Sequence, residues 1–311
     1  MKKQDLAKQL TSPSKNSRLE KFGKTITFLC LILIVFTVAM ILIFVAQKGL
    51  STFFVNGVNI FDFLFGKNWQ PTVKDAHGNY IMGALPMITG SFIVTILSAL
   101  IATPFAIGAA IFMTEISPKR GARLLQPTIE LLTGIPSVVY GFIGLQVVVP
   151  FVRTLFGGTG FGILSGVFVL FVMILPTVTF MTTDSLRSVP RHYREASLAM
   201  GATRWQTIWR VVLRAAKPGI FTAVVFGMAR AFGEALAIQM VVGNSPVMPT
   251  SLITPASTLT SVLTMGIGNT VMGTVQNNVL WSLALVLLIM SLAFNMLMKF
   301  ITREKKVNYE R

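Results

Sequence analysis

Six apolar runs dominate the chain, near residues 25–46, 88–113, 128–150, 163–183, 219–243 and 279–301, with polar stretches between them. About 20 helical residues cross a hydrocarbon core of roughly 30 Å, so each run is long enough for a transmembrane helix. The pattern predicts an all-α, polytopic membrane protein with about six spans. Pro104, Pro136 and Pro176 fall inside three of the runs and blur their ends, because proline kinks or breaks a helix. Residues 1–24 read as a basic tail, disordered at least to Ser17, and 25–46 as a first anchor helix, too long for the apolar part of a cleaved signal. Residues 47–87 form an extracytoplasmic segment in which Trp69 and Tyr80 are expected at the membrane interface. A second external segment, about 244–278, is rich in Thr, Ser, Gly and Met, and the sequence leaves open whether residues 259–272 re-enter the membrane. The main membrane domain spans 88–301, and 302–311 is a terminal tail.

Composition agrees with this reading. Hydrophobic residues are 53% of the chain and charged residues 12%, against about 25% charged in an average soluble domain. The placement of the basic residues sets the orientation. With both termini inside, 22 of the 27 Lys and Arg fall on cytoplasmic segments, only Lys48, Lys67, Lys74 and Arg153 fall outside, and Arg230 lies within a span. That asymmetry is the positive-inside rule for an even number of spans. The net charge of +16 is thereby explained by topology, and nucleic acid is not expected as a partner. Cys30 is the single cysteine, so no intrachain disulfide can form. His77 and His192 are far apart in sequence, and no metal site is expected.

The most informative stretch is residues 195–213, EASLAMGATRWQTIWRVVL. Pro190 suits a first helical turn, Gly201 suits a left-handed helix stop, and Thr203 with Gln206 fits a capping box. The result is a helix, a sharp turn and a second helix through Trp205, Ile208, Trp209, Val212 and Leu213. An amphipathic pair of this kind either lies on lipid headgroups or is offered to a partner. Glu195, an acid among arginines, favours the partner, since an anionic membrane surface does not attract it.

Arg230 carries the second signal. Counted from residue 219 at about 1.5 Å per residue, it lies roughly 17 Å deep, close to the bilayer midplane. A charge there requires a partner or a wet cavity. Glu234 stands one helical turn away on the same face, so the two read either as a structural ion pair or as an anion site with its counter-charge. The planar fork of a guanidinium suits a pair of phosphate oxygens. Glu130 reads as a cap or a snorkelling residue at the start of the third span.

Glu195, Ala196, Ser197, Gly201, Val211 and Leu213 stand where the EAA motif of bacterial ABC-importer permeases has its signature residues, with Ser197 replacing the second Ala and Arg214 the Pro. The chain resembles the type I permease domain over roughly 85–300. The segments LTGIPSVVYGF (132–142) and GMARAFGEALAIQMVVGN (227–244), with Trp69-Gln70-Pro71 and Thr258-Leu259-Thr260, resemble the PstC-type permeases of phosphate-specific ABC importers. In the sister PstA type, Gly-Glu-Thr-Ala-Pro stands where this chain has Gly233 to Ala237.

The resemblance implies a type I permease fold, a multi-pass location in the bacterial cell membrane, and phosphate as substrate. It implies a coupling segment, 190–213, that docks in a groove of an ATPase subunit through Glu195, Ala196, Ser197 and Gly201, and a substrate pathway holding Arg230 and Glu234. It also implies a PstA-type permease as heterodimer partner, two ATPase subunits and an extracytoplasmic phosphate-binding protein. No cofactor is expected in this chain, ATP being bound by the ATPase subunits, and no catalytic residue is expected. Gly23-Lys24-Thr25 is not a phosphate-binding loop, because position 18 is Arg rather than Gly. The rival readings are an ion-coupled secondary transporter and an ABC permease for another oxyanion.

Overall fold

The computed structural model describes residues 15–74, 78 and 80–302; the outer parts of both expected tails, 1–14 and 303–311, lie outside them. Two compact units divide the chain, one through Lys48 and one from Gly49. Helix α1, Lys15–Phe54, makes up the described part of the first unit and runs past its boundary. Along it Leu31, Ile34, Phe36 and Ile41 are all exposed, an all-round apolar surface fit for lipid. Helix begins at Lys15, ten residues before the expected span, so part of the basic tail is helical.

The second unit opens with the segment between the first two spans, which has structure of its own. Helix α2 (Ile60–Phe65) is started by Asn59, whose side chain accepts from the Phe61 N–H, and strands β1 (Trp69–Lys74) and β2 (Tyr80–Met82) pair antiparallel. Trp69 and Tyr80 are half-buried against a cluster of Phe63, Met87, Leu259 and Leu283, and Lys74 sits 4.7 Å above the Tyr80 ring.

Then come α3 (Leu85–Ile111, closed by a π turn through Ile116), α4 (Arg120–Gly134), α5 (Ser137–Ile143) running through a π turn into α6 (Val149–Phe156), and α7 (Ile163–Arg187). Helix α8 (Arg191–Ala199) precedes α9 (Arg204–Thr207), which passes through a π turn into α10 (Leu213–Phe232). Helices α11 (Leu236–Val241), α12 (Leu259–Ile267) and α13 (Val275–Thr302) complete the described chain. Among the described residues, six helical stretches are long and apolar enough to cross a membrane: 19–54, 85–116, 137–156, 163–187, 204–232 and 275–296.

Two spans depart from expectation, each for a local reason. The run 128–150 is two elements: Pro136 cannot continue a helix and holds Ile135 extended (φ −69°, ψ 128°), so α4 ends at Gly134 and the span starts at Ser137. Glu130 therefore caps no span; it is exposed on α4, accepting from Gln126 Nε2 at 3.1 Å. The run 219–243 is likewise not one helix, because α10 stops at Phe232 and the chain re-forms as α11 after Gly233–Ala235. Upstream the span reaches back to Arg204, since Arg210, Arg214 and Lys217 occupy one exposed face while Ile208, Val212, Ala216 and Ile220 are buried on the other.

The core lies where α3, α7 and α11 meet, around Val94, Leu170, Ile174, Ala237, Ile238 and Val241. Small residues let the α3 and α7 backbones approach, and Ser98 Oγ donates to Val167 O at 3.2 Å across the gap. Helix α12, on the segment left open by the sequence, packs inward with Leu259 and Ser261 fully buried. Its start crosses α3, where Leu259 N–H donates to Ser91 Oγ at 2.9 Å and a Cβ on Gly90 would overlap the Ser257 carbonyl oxygen. Gly90→Ala is therefore expected to destabilise the protein by about 1–3 kcal/mol through overpacking against backbone that cannot yield. Thermal unfolding in detergent checks this, and an unchanged midpoint would contradict the crossing.

Candidate functional site: an elbow and an intramembrane arginine

The helix, turn and helix expected at 190–213 are present. Helix α8 ends in a Schellman motif, with Ala202 N–H donating to Ser197 O (3.2 Å), Gly201 N–H donating to Leu198 O (3.0 Å), and Gly201 at φ +81°, where an L side chain is strained. Thr203 and Gln206 form the reciprocal capping box that starts α9. Ser197, the departure from the EAA pattern, has a use: its hydroxyl lies 2.9 Å from that of Thr207 and ties the two arms together.

No residue of α8 is buried. Glu195 and Ala196 are exposed, Met200 is 88% exposed, and Trp205 and Trp209 stack at 6.1 Å with both rings 60% exposed. Large apolar side chains beside an exposed carboxylate make this a surface suited to a protein partner. The inner side of the elbow rests on Leu186, Val189, Ile208 and Val212, with Tyr193 packed against them.

Arg194 and Glu115 hold the elbow to the bundle, and sequence reasoning missed both. Arg194 Nη2 meets Glu115 Oε1 at 2.7 Å, and Nε meets the two carboxylate oxygens at 3.3 and 3.2 Å. The same guanidinium donates to Val189 O (2.7 Å) and Leu186 O (3.0 Å), carbonyls at the end of α7, while Arg204 Nη2 donates to Glu115 O at 3.1 Å. A cleft of about 500 Å³ opens beside them, lined by Glu115, Arg187, Arg191, Arg194, Glu195 and Arg204. Arg194 immediately precedes Glu195 in the motif, but its partner lies 79 residues away and no local signal marks it.

Arg230 stands in the last turn of α10, where a cation complements the helix dipole. The midplane depth expected for it assumed one span over 219–243; the helical stretch instead runs from Arg204 to Phe232, which puts Arg230 near its end. It is half-buried, and its Nη1 donates to Thr177 Oγ1 at 2.7 Å. Thr177, buried on α7 directly after Pro176, is a second residue that sequence reasoning missed; a hydroxyl inside an apolar run was its only trace.

Glu234 is not on the same helical face as Arg230, because the helix has ended. Its Oε1 accepts from Ala237 N–H at 3.2 Å and so caps α11, while its backbone carbonyl accepts from Thr260 Oγ1 at 2.8 Å. No ion pair joins the two residues among the described ones, which corrects that alternative. The break they flank is packed into the core through Ala237, Ile238 and Val241, as irregular backbone in a membrane requires. Among the described residues no three His, Cys, Asp or Glu come close enough to hold a metal.

Comparison with known proteins places this geometry in a family. Residues 102–307 match the profile of the binding-protein-dependent transport system inner membrane component. The chain is 51% identical over 304 residues to a probable ABC transporter permease protein, YqgH of Bacillus subtilis, covering 97% of each. It is 34% identical to the phosphate transport system permease protein PstC of Mesorhizobium japonicum, over 78% of this chain and 80% of that one. Among solved structures, a chain of a bacterial alginate ABC transporter in complex with its periplasmic protein superposes with a TM-score of 0.60 at 15% identity, over 93% of this chain and 98% of that chain. A chain from an inward-facing MetNI methionine ABC transporter superposes at 0.54 and 21% identity, over 71% of this chain and 93% of that chain, so the fold is shared across substrates. With its six membrane helices and helix-turn-helix elbow, the chain belongs to the binding-protein-dependent transport system inner membrane component family, the multi-pass permease subunits of ABC importers.

Proposed function

We propose that this chain is the PstC-type permease of an ATP-driven phosphate importer, with Arg230 in the substrate pathway and the elbow as the docking point for an ATPase subunit. The observation that carries the substrate assignment is the state of Arg230. Its guanidinium has five N–H donors, and the one hydrogen bond it makes within the described chain goes to a neutral hydroxyl. A cation in a membrane bundle that forms no ion pair among the described residues is costly. An oxyanion arriving at the free donors offsets that cost and takes up the fork in a bidentate pair. The kinship with PstC permeases points to phosphate as that oxyanion.

Under this reading both termini and the elbow are cytoplasmic. A PstA-type permease completes the pathway, two ATPase subunits bind the nucleotide, and an extracytoplasmic phosphate-binding protein delivers the substrate. The chain itself needs no cofactor and performs no covalent chemistry. Phosphate meets Arg230 between the two permeases, and nucleotide-driven movement of the ATPases shifts the elbow and with it the equilibrium between outward and inward states.

Two variants test the assignment. Arg230→Gln is expected to lower phosphate uptake by reconstituted importer roughly 10- to 100-fold, the worth of one or two charged hydrogen bonds, with assembly unchanged. Uptake equal to wild type would take Arg230 out of the pathway. Glu195→Lys is expected to cut co-purification of the ATPase and ATP-driven uptake at least about tenfold, since a like or unpaired charge at an interface costs several kcal/mol. Normal assembly and uptake in that variant would remove Glu195 from the docking surface.

A further inference from the structure

We propose that Arg194 and Glu115 form the joint through which displacement of the elbow is passed to α3 and α7, which makes Arg194 a positioning residue for coupling. This rests on the reading that the elbow receives load from an ATPase. The physical problem is specific: α8 buries none of its residues fully, and its apolar contact with the cluster beneath the elbow comes from the partly buried Tyr193. A load applied to Glu195 and Met200 would bend or peel such a helix unless something fixes it.

Arg194 supplies the fixing. Three of its nitrogens bond at once to three separate places: the Glu115 carboxylate at the end of α3, and the Leu186 and Val189 carbonyls at the end of α7. Leu186 lies in the last turn of α7 and Val189 just beyond it, so the guanidinium also complements the negative end of the helix dipole. The second arm arrives at the same residue, because Arg204 donates to the Glu115 carbonyl, and Ser197 with Thr207 braces the arms against each other. Both halves of the elbow therefore converge on Glu115. The pair is partly shielded, with side chains 21% and 10% exposed, so it is less screened than an open surface bridge.

Lysine cannot replace this arrangement. Its ammonium is a single point with three donors, whereas the joint needs a planar fork reaching a carboxylate on one side and two carbonyls on the other. The joint differs from the docking surface, since Glu195 and the tryptophans face outward while Arg194 faces the bundle.

The experiment uses the complete importer in proteoliposomes, with phosphate accumulated and ATP hydrolysed measured on the same sample. In Arg194→Lys and Glu115→Gln, ATPase co-purification and hydrolysis are expected to stay within about twofold of wild type. Phosphate moved per ATP falls about tenfold, within the usual range of coupling free energies. The double variant is expected to be no worse than either single one, because both remove the same joint. An unchanged phosphate-to-ATP ratio in Arg194→Lys, or additive losses in the double variant, would overturn the proposal. Variants that fail to assemble leave a test on the otherwise wild-type chain: in a Cys30→Ser background, spin labels at the exposed positions Ala199 and Ser188 report the separation of α8 from the end of α7. A separation constant to within about 2 Å between nucleotide-free and ATP-trapped importer supports a rigid joint, and a change of about a helical turn, some 5 Å, refutes it. A wild-type assembly with no ATP-driven uptake would refute the proposed function, and the joint's role with it.

Discussion

Every feature of this chain follows from one constraint: in an apolar medium, a backbone polar group or a charge must find its partner inside the protein. Helices satisfy that need for most of the chain, and interruptions occur where other residues supply the missing bonds. At the end of α10 the chain breaks, and the Glu234 carboxylate takes the Ala237 N–H while Thr260 donates to the Glu234 carbonyl. At the end of α7, Arg194 takes the carbonyls of Leu186 and Val189. At such a break Arg230 makes one side-chain hydrogen bond among the described residues, and the proposed function is built around its remaining donors.

The same constraint links the two ends of the mechanism. The capping box at Thr203 starts a helical stretch that runs 29 residues from Arg204 to Phe232, through a π turn at Ile208–Val212 and past Pro218. At about 1.5 Å per residue it is roughly 43 Å long, and it carries exposed Trp205 near one end and Arg230 near the other. The second arm of the elbow and the intramembrane guanidinium therefore belong to one continuous helical stretch. Rotation or tilt of this stretch at its elbow end changes what Arg230 faces, while its Thr177 partner is on a different helix. Alternating access by rocking of rigid elements requires such a connection.

Much of this was legible in the sequence because the signals are local. Apolar length announced six spans, and Gly201, Thr203 and Gln206 announced the elbow, since a helix stop and a capping box depend on neighbours within a few residues. Span limits were less legible where local signals conflicted. The apolar positions of α4 merged with those after Pro136, and Arg210, Arg214 and Lys217 read as belonging to a cytoplasmic segment before a span at 219, although they form one face of the helical stretch that continues into it. The break after Phe232 was hidden in an unbroken apolar run. Contacts between distant residues were the least legible: Thr177 with Arg230 is 53 residues apart, and Glu115 with Arg194 is 79. Their residue types are unremarkable, and only the packing of α3 beside α7 and α7 beside α10 brings them together.

The central claim is that an oxyanion crosses beside Arg230 at the expense of ATP held by partner subunits. Accumulation of radiolabelled phosphate in proteoliposomes carrying the full importer and its binding protein tests this most directly, with the nucleotide and the ion gradients varied separately. The account predicts uptake that requires hydrolysable ATP, stops with a non-hydrolysable analogue and survives a protonophore. Phosphate uptake that proceeds without ATP and collapses with the proton gradient would contradict it.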